Sequence, residues 1–434
     1  MEYDCIGRSK IELKKHQSNI VKYFMRGKVD GIMIVHPTGS GKTLTSITIS
    51  QCWLDKNPNS NVYIISPANL LVNFRKEMKN YGVKNIKNYH LYSYQKFLNS
   101  FDEKQIDCRN DLLIIDEAHN LRNMNVSSNL KGLRAKAVLK CAQFSSKRVL
   151  LTATPFINGI DDFIALINIL YGGIIIKSSK EIKDINNLKK YLKGRLDYIK
   201  PKKIDKNYPQ YKEHEVRIAM PLEYQKKYCK LIRGHEVDDT VFQNPQSFYN
   251  ANRRAVNSLG ESSQYFSLKI EEALHIIKDY KSVIYSNWLD FGVKEIQKVL
   301  KNRGISHQIY YGGITEKRKI KIVDDFNDDK FQVLVISSAG KEGLDLKGVR
   351  KLIVLDPVWN WSGMKQIEGR VIRFGSHDHL PRNERKVGIY YMILQTNDPK
   401  CKSGDTVLYK IIERKKEEGK IIDKLLEDVS ISKI

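Results

Sequence analysis

Apolar residues fall along the chain in short runs separated by stretches of helical spacing. In the first part of the chain, runs at 31–35, 62–66, 112–115 and 149–152 are rich in Ile, Leu and Val. They are too short for helices and too continuous for half-exposed strands, so they predict strands buried on both faces of a parallel sheet. Amphipathic stretches lie between them, and this alternation predicts one sheet-and-helix lobe from about residue 11 to 172. A second set of runs, at 282–286, 308–311, 333–337 and 351–355, predicts another such lobe. The intervening residues are lysine-rich and then polar, with few signs of buried strands. Helical spacing with charged faces at 406–429 predicts a C-terminal helix that packs back. The expected fold class is α/β, with two tandem parallel-sheet lobes and a mostly helical basic insertion between them, divided as 1–172, 173–262 and 263–434. No internal sequence repeat accompanies this division.

Length and charge refine the picture. A chain of 434 residues has room for two or three domains, each with its own core. The formal net charge of +25 favours a polyanionic partner, and nucleic acid is the natural one. Residues 177–206 hold 11 Lys/Arg against four Asp/Glu, the strongest local excess for tracking phosphates. The six cysteines stand singly with no CxxC, so neither a zinc ribbon nor a disulfide framework is expected, and a reducing compartment fits. The N-terminal residues lack a secretion pattern and no apolar run approaches membrane-spanning length, so a soluble, unsecreted protein without a membrane partner is expected.

Two motifs give the chemistry. His36-Pro37-Thr38-Gly39-Ser40-Gly41-Lys42-Thr43 joins the run 31–35 to a helical segment, as a phosphate-binding loop does. Gly39, Ser40 and Gly41 let main-chain N–H groups turn toward an anion, Lys42 reaches the terminal phosphates, and Thr43 offers a hydroxyl to Mg²⁺. The pattern GxxxxGK[ST] has glycine where this chain has His36. The second motif, Asp116-Glu117-Ala118-His119, ends the buried run 112–115. Paired carboxylates at a strand terminus suit an NTPase, with Asp116 holding Mg²⁺ and Glu117 orienting and deprotonating water.

With Leu151-Thr152-Ala153-Thr154-Pro155 and the late Gln366-Ile367-Glu368-Gly369-Arg370-Val371-Ile372-Arg373, these motifs resemble superfamily 2 of the helicases and translocases, in order and spacing over nearly the whole chain. The details look most like the remodeller-type DNA translocases and their large-DNA-virus relatives. Those relatives include the poxvirus early transcription factor ATPase subunit and the viral nucleoside triphosphate phosphohydrolase of transcription termination. The resemblance implies two RecA-like lobes, ATP with Mg²⁺, and nucleic acid as partner, with duplex DNA favoured and RNA polymerase or other transcription proteins as further candidates. It implies that Gln17, in Leu13-Lys14-Lys15-His16-Gln17, recognises adenine. It also implies that Ser66, Ser93, Ser286 and Ser338 contact the strand, and that Gly343 and Asp345, in the stretch from Ser337 to Asp345, link nucleotide to strand. Arg370 and Arg373 are implied arginine fingers, with Gln366 one helical turn earlier coupling γ-phosphate to lobe position.

The expected activity is nucleic-acid-dependent ATP hydrolysis coupled to translocation on, or remodelling of, DNA in viral transcription. If the chain is viral, the host cytoplasm or nucleus and the virion are its expected locations. A strand-separating DNA or RNA helicase would share every catalytic group. A transcription-factor subunit using ATP only as a switch is a further alternative.

Overall fold

The computed structural model describes residues 4–7, 9–37, 39–103, 105–121, 130–153, 155, 160–182, 184–200, 208–232, 250–259, 267–338, 344–356 and 361–433. The chain forms two compact units. The first is Met1–Lys202 with Glu417–Ile434, and the second is Lys203–Lys416.

The first unit is built on a six-stranded sheet. Its strands are β1 (Gly31–Val35), β2 (Val62–Ser66), β3 (Tyr89–Ser93), β4 (Leu112–Ile115), β5 (Lys147–Thr152) and β6 (Leu196–Tyr198), in the order β3-β2-β4-β5-β1-β6. Every neighbouring pair is parallel. Successive side chains point to opposite faces, so each buried strand feeds two cores. Met33, Val35, Ile65, Leu113, Ile115 and Leu150 enter one. Ile32, Ile34, Ile64, Ile114, Val149 and Leu151 enter the other. This two-sided burial is why those strands read as continuous apolar runs.

The second unit repeats the plan with β7 (Gln210–Ala219), β8 (Ser282–Tyr285), β9 (His307–Tyr310), β10 (Val333–Ile336), β11 (Lys351–Val354) and β12 (Lys386–Gln395), ordered β7-β12-β11-β8-β10-β9. All its pairs are parallel, including the ten-residue register of β7 with β12. The C-terminal helix runs Gly404–Val429. From Glu417 onward its residues group with the first unit, where Ile422, Leu425, Leu426 and Val429 are buried in the core. No helix among the described residues is long and apolar enough to cross a membrane.

Three expectations are corrected. Over its described residues the stretch 173–262 is not a separate insertion, because β6 extends the first sheet and β7 the second, and the units divide between Lys202 and Lys203. Both strands escape a periodicity reading for physical reasons. β6 is three residues long, and β7 is an edge strand whose sequence, Gln-Tyr-Lys-Glu-His-Glu-Val-Arg-Ile-Ala, is largely exposed or half-buried. The C-terminal residues are not confined to the second lobe. Finally, all six cysteines pair, as Cys5–Cys52, Cys108–Cys141 and Cys229–Cys401, at sequence separations of 47, 33 and 172. The fold brings these buried residues together, and no local spacing announces it.

In the chain-entropy description, closing a 47-residue loop contributes about 4 kcal/mol. Alkylation of the denatured, unreduced protein is expected to find no free thiol, and reduction is expected to lower the unfolding midpoint. Full labelling before reduction would overturn the pairing.

Candidate nucleotide site

The loop after β1 lies at the carboxyl end of the first sheet, where open parallel sheets present ligand sites. Gly41 is the residue before the helix Lys42–Lys56 and has φ 84°, and Gly39 has φ 78°. Gly41 has a second reason to be glycine, since a Cβ there would stand 2.2 Å from Gln17 Nε2. Gln17 is buried, donates through Nε2 to the carbonyl of Gly41 at 3.1 Å, and accepts at Oε1 from Lys14 N at 2.8 Å. His16 Nε2 lies 3.3 Å from the Ser40 carbonyl. The residue read as an adenine contact thus braces the phosphate loop in this structure, a part not foreseen from sequence. Lys42 Nζ donates to the carbonyls of His36 at 2.9 Å and Pro37 at 3.2 Å. Thr43 is half-buried in the first turn of the helix, and Thr38 lies outside the described residues.

Asp116 follows β4 and is fully enclosed. Its Oδ2 accepts from Ser66 Oγ at 2.9 Å and its Oδ1 from Glu117 N at 3.1 Å. Burial pushes its pKa up to about 6, helped by the neighbouring Glu117 charge and opposed by Ser66 and Lys42. A buried carboxylate this poorly compensated fits a divalent cation, and the Thr43 hydroxyl with Asp116 is the donor pair that would serve one. Tyr94 OH donates to the Asp116 carbonyl at 2.6 Å, which fixes the backbone at this point. Glu117 has φ 51°, a left-handed conformation costing about 1–2 kcal/mol outside glycine. His119 Nδ1 lies 3.2 Å from Glu117 Oε2 and 3.2 Å from Thr152 Oγ1, tying the acidic box to the end of β5.

The most distant tie is at His36. Its buried Nε2 donates to Asp197 Oδ2 at 2.7 Å, joining the loop to β6. Burial alone would raise the Asp197 pKa, but hydrogen bonds from His36 and Ser432 outweigh it and hold the carboxyl below its usual range. The sequence signals this partner only through an acidic residue inside a strongly basic stretch.

In the second unit, Arg370 and Arg373 converge on one carbonyl, that of Leu344, at 3.5 Å and 3.0 Å, and Arg373 also lies 3.3 Å from Asp345 Oδ1. Gln366 is half-buried on the same helix, Trp361–Val371. That helix is fixed by buried charges. Lys365 Nζ donates to Glu368 at 2.5 Å and to Glu213 of β7 at 3.0 Å, while Tyr391 OH of β12 donates to Glu368 at 2.6 Å. The expected strand-contacting serines divide. Ser66 and Ser286 are wholly buried, with hydroxyls donating to Asp116 and Asp356, so here they hold acidic side chains and present no surface group. Ser93 is half-buried and accepts from Lys96 N at 3.2 Å as a helix cap, and Ser338 is exposed. Thr154, residues 339–343 with Gly343 among them, and residues 201–207 lie outside the described residues.

Folded Asp116 keeps its proton to higher pH than an unfolded aspartate, so it binds more protons in the native state between about pH 4 and 6. Its contribution to stability therefore falls as pH rises through that window. Asp116→Asn is expected to raise the melting temperature of the nucleotide-free protein at pH 8 and to abolish ATP hydrolysis. A lowered melting temperature at pH 8 would contradict the uncompensated carboxylate.

Comparison with known proteins gives the chain a family. The profile of the type III restriction enzyme res subunit matches residues 10–157, that of the SNF2-related domain 91–255, and that of the helicase conserved C-terminal domain 268–375. A protein of Acanthamoeba polyphaga mimivirus named as an ATP-dependent RNA helicase is 31% identical, covering 97% of this chain and 98% of its own. Nucleoside triphosphatase I of Melanoplus sanguinipes entomopoxvirus is 25% identical, covering 98% of this chain and 79% of its own. Among solved structures, the Pyrococcus furiosus Hef helicase domain shares the fold, with TM-score 0.51 and 15% identity over 94% of this chain and 99% of that one. The chain belongs to the superfamily 2 helicases, the family of its mimivirus relative, and is an ATP-hydrolysing enzyme.

Proposed function

We propose that this protein couples ATP hydrolysis to movement along, or remodelling of, duplex DNA during viral transcription. The observation that carries the reading is the pairing of Lys42, at the mouth of the β1 loop, with the buried, cation-seeking Asp116 after β4. The net charge of +25 supports a nucleic-acid partner.

Lys42 leaves the carbonyls of His36 and Pro37 to meet the β- and γ-phosphates, and the loop N–H groups cradle them. Thr43 and Asp116 would hold Mg²⁺, whose charge offsets that of the phosphates and the buried carboxylate. Glu117, oriented by its left-handed backbone and by His119, accepts a proton from the attacking water. Arg370 and Arg373 supply the further cations that developing charge on the γ-phosphoryl group requires, and Gln366 reports its presence. Gln17 contributes through the loop it braces, and contact with adenine would require its Nε2 to exchange one of its bonds to the Ser40 and Gly41 carbonyls. Gly39, Ser40 and Gly41 shape the cradle, with Thr38 completing it. Gly343 and Asp345 are proposed to link nucleotide state to the tracked strand, with Ser93 and Ser338 as contacts to it. A second reading, RNA-directed strand separation, is favoured by the mimivirus relative, which is named as an ATP-dependent RNA helicase.

ATPase stimulation by duplex DNA, single-stranded DNA and RNA decides between these readings. The expected order puts duplex DNA first, and stimulation by RNA alone would overturn the DNA assignment. Affinity for the stimulating strand is expected to fall steeply between about 50 and 200 mM salt, by about tenfold or more if several phosphates are neutralised. Arg370→Ala and Arg373→Ala are expected to lower kcat by about 100-fold or more with KM for ATP little changed. A selective rise in KM would instead place these side chains in ground-state binding.

A further inference from the structure

We infer that Asp197 is a positioning residue for ATP binding, acting through His36 on the phosphate loop, and that Ser430 and Ser432 set its orientation. The inference rests on ATP being held at the Lys42 loop, as proposed above.

The geometry forms a continuous chain of contacts. In the parallel register of β1 with β6, Asp197 stands opposite Ile34, and His36 lies two residues beyond Ile34, on the same side of the strand. Asp197 is 1% exposed and His36 1%, so their 2.7 Å hydrogen bond is out of solvent. The other carboxylate oxygen is occupied from the opposite side. Oδ1 accepts from Ser432 N at 3.1 Å and from Ser432 Oγ, and Ser430 Oγ lies 3.4 Å away. Ser430 Oγ also accepts from Tyr198 N at 2.8 Å, which anchors it to β6 itself.

On the loop side, the His36 ring has no second hydrogen bond among the described residues, since its Nδ1 is buried without a partner. Besides an edge contact with the His16 ring at 5.5 Å, the bond to Asp197 is what orients the ring. The main chain of His36 is engaged twice, with N donating to the Thr152 carbonyl at 3.2 Å and O accepting from Lys42 Nζ at 2.9 Å. The imidazole thus ties to β6 the residue whose carbonyl holds the phosphate-binding lysine. Where the common loop pattern has a glycine with no side chain to orient, this chain has a tethered imidazole. The tether ends in the residues just after the C-terminal helix.

A double-mutant cycle on the full chain tests this, with KM for ATP and kcat measured at saturating nucleic acid and melting temperature measured in parallel. Loss of a buried hydrogen bond to a charged group predicts a rise of about tenfold in KM for Asp197→Ala, with kcat changed less. His36→Gly removes the imidazole and provides its own reference KM. In that background Asp197→Ala is expected to add less than about twofold, because the route from carboxylate to loop is gone. If Asp197→Ala fails to fold, the pair Ser430→Ala and Ser432→Ala carries the same comparison: KM rises with His36 present and does not rise further in the His36→Gly background. A purely structural Asp197 would lower the melting temperature and leave KM unchanged, or would raise KM equally in both backgrounds, and either result overturns the inference. Lys42→Ala separates the two levels, since full ATP binding by that variant would refute the nucleotide-site reading whatever the cycle returns.

Discussion

A carboxylate buried at the end of a strand is expensive, and the first unit is organised around that expense at Asp116. Its surroundings supply one hydroxyl from Ser66 and one main-chain N–H, which leaves the charged form under-compensated. The neighbouring Glu117 adds a second negative charge and a left-handed backbone. Such a site is poor for stability and well suited to a partner carrying its own cations. The rest of the sheet makes the arrangement tolerable, with β4 flanked by β2 and β5 and buried along its whole length.

Much of the central architecture was legible in the sequence because burial leaves a plain signature. The strands at 31–35, 62–66 and 112–115 were readable to the residue, since both faces of each enter a core and nearly every position must be apolar. Three of the four sheet edges were not readable, whereas the fourth, β9, was read at 308–311. β3, β6 and β7 each have one side unpaired, so their side chains can be polar, aromatic or charged without penalty. β12 is different: its apolar content is high, but it lies beyond the last strand that the motif order drew attention to.

The candidate site shows the same division. Lys42, Asp116 and Glu117 belong to local patterns whose chemistry depends on residue type and spacing, and the structure brings Lys42 close enough for its charge to act on Asp116. The residues that support them are scattered. Tyr94 reaches the backbone of Asp116 from another element, Gln17 is fixed to the loop carbonyls, and Asp197 finds His36 across 161 positions. Hydrogen bonds of this kind have no periodicity, and only the folded chain reveals them. The cysteine pairs escaped notice for the same reason.

The first unit is assembled from two stretches of chain with the whole of the second unit inserted between them. During synthesis, residues 417–434 leave the ribosome after every residue of the second unit has been made. The apolar side chains of Ile422, Leu425, Leu426 and Val429 are therefore missing from the first core until the second unit has been made. The first core, although begun earlier in the chain, is closed only with residues that follow the second unit.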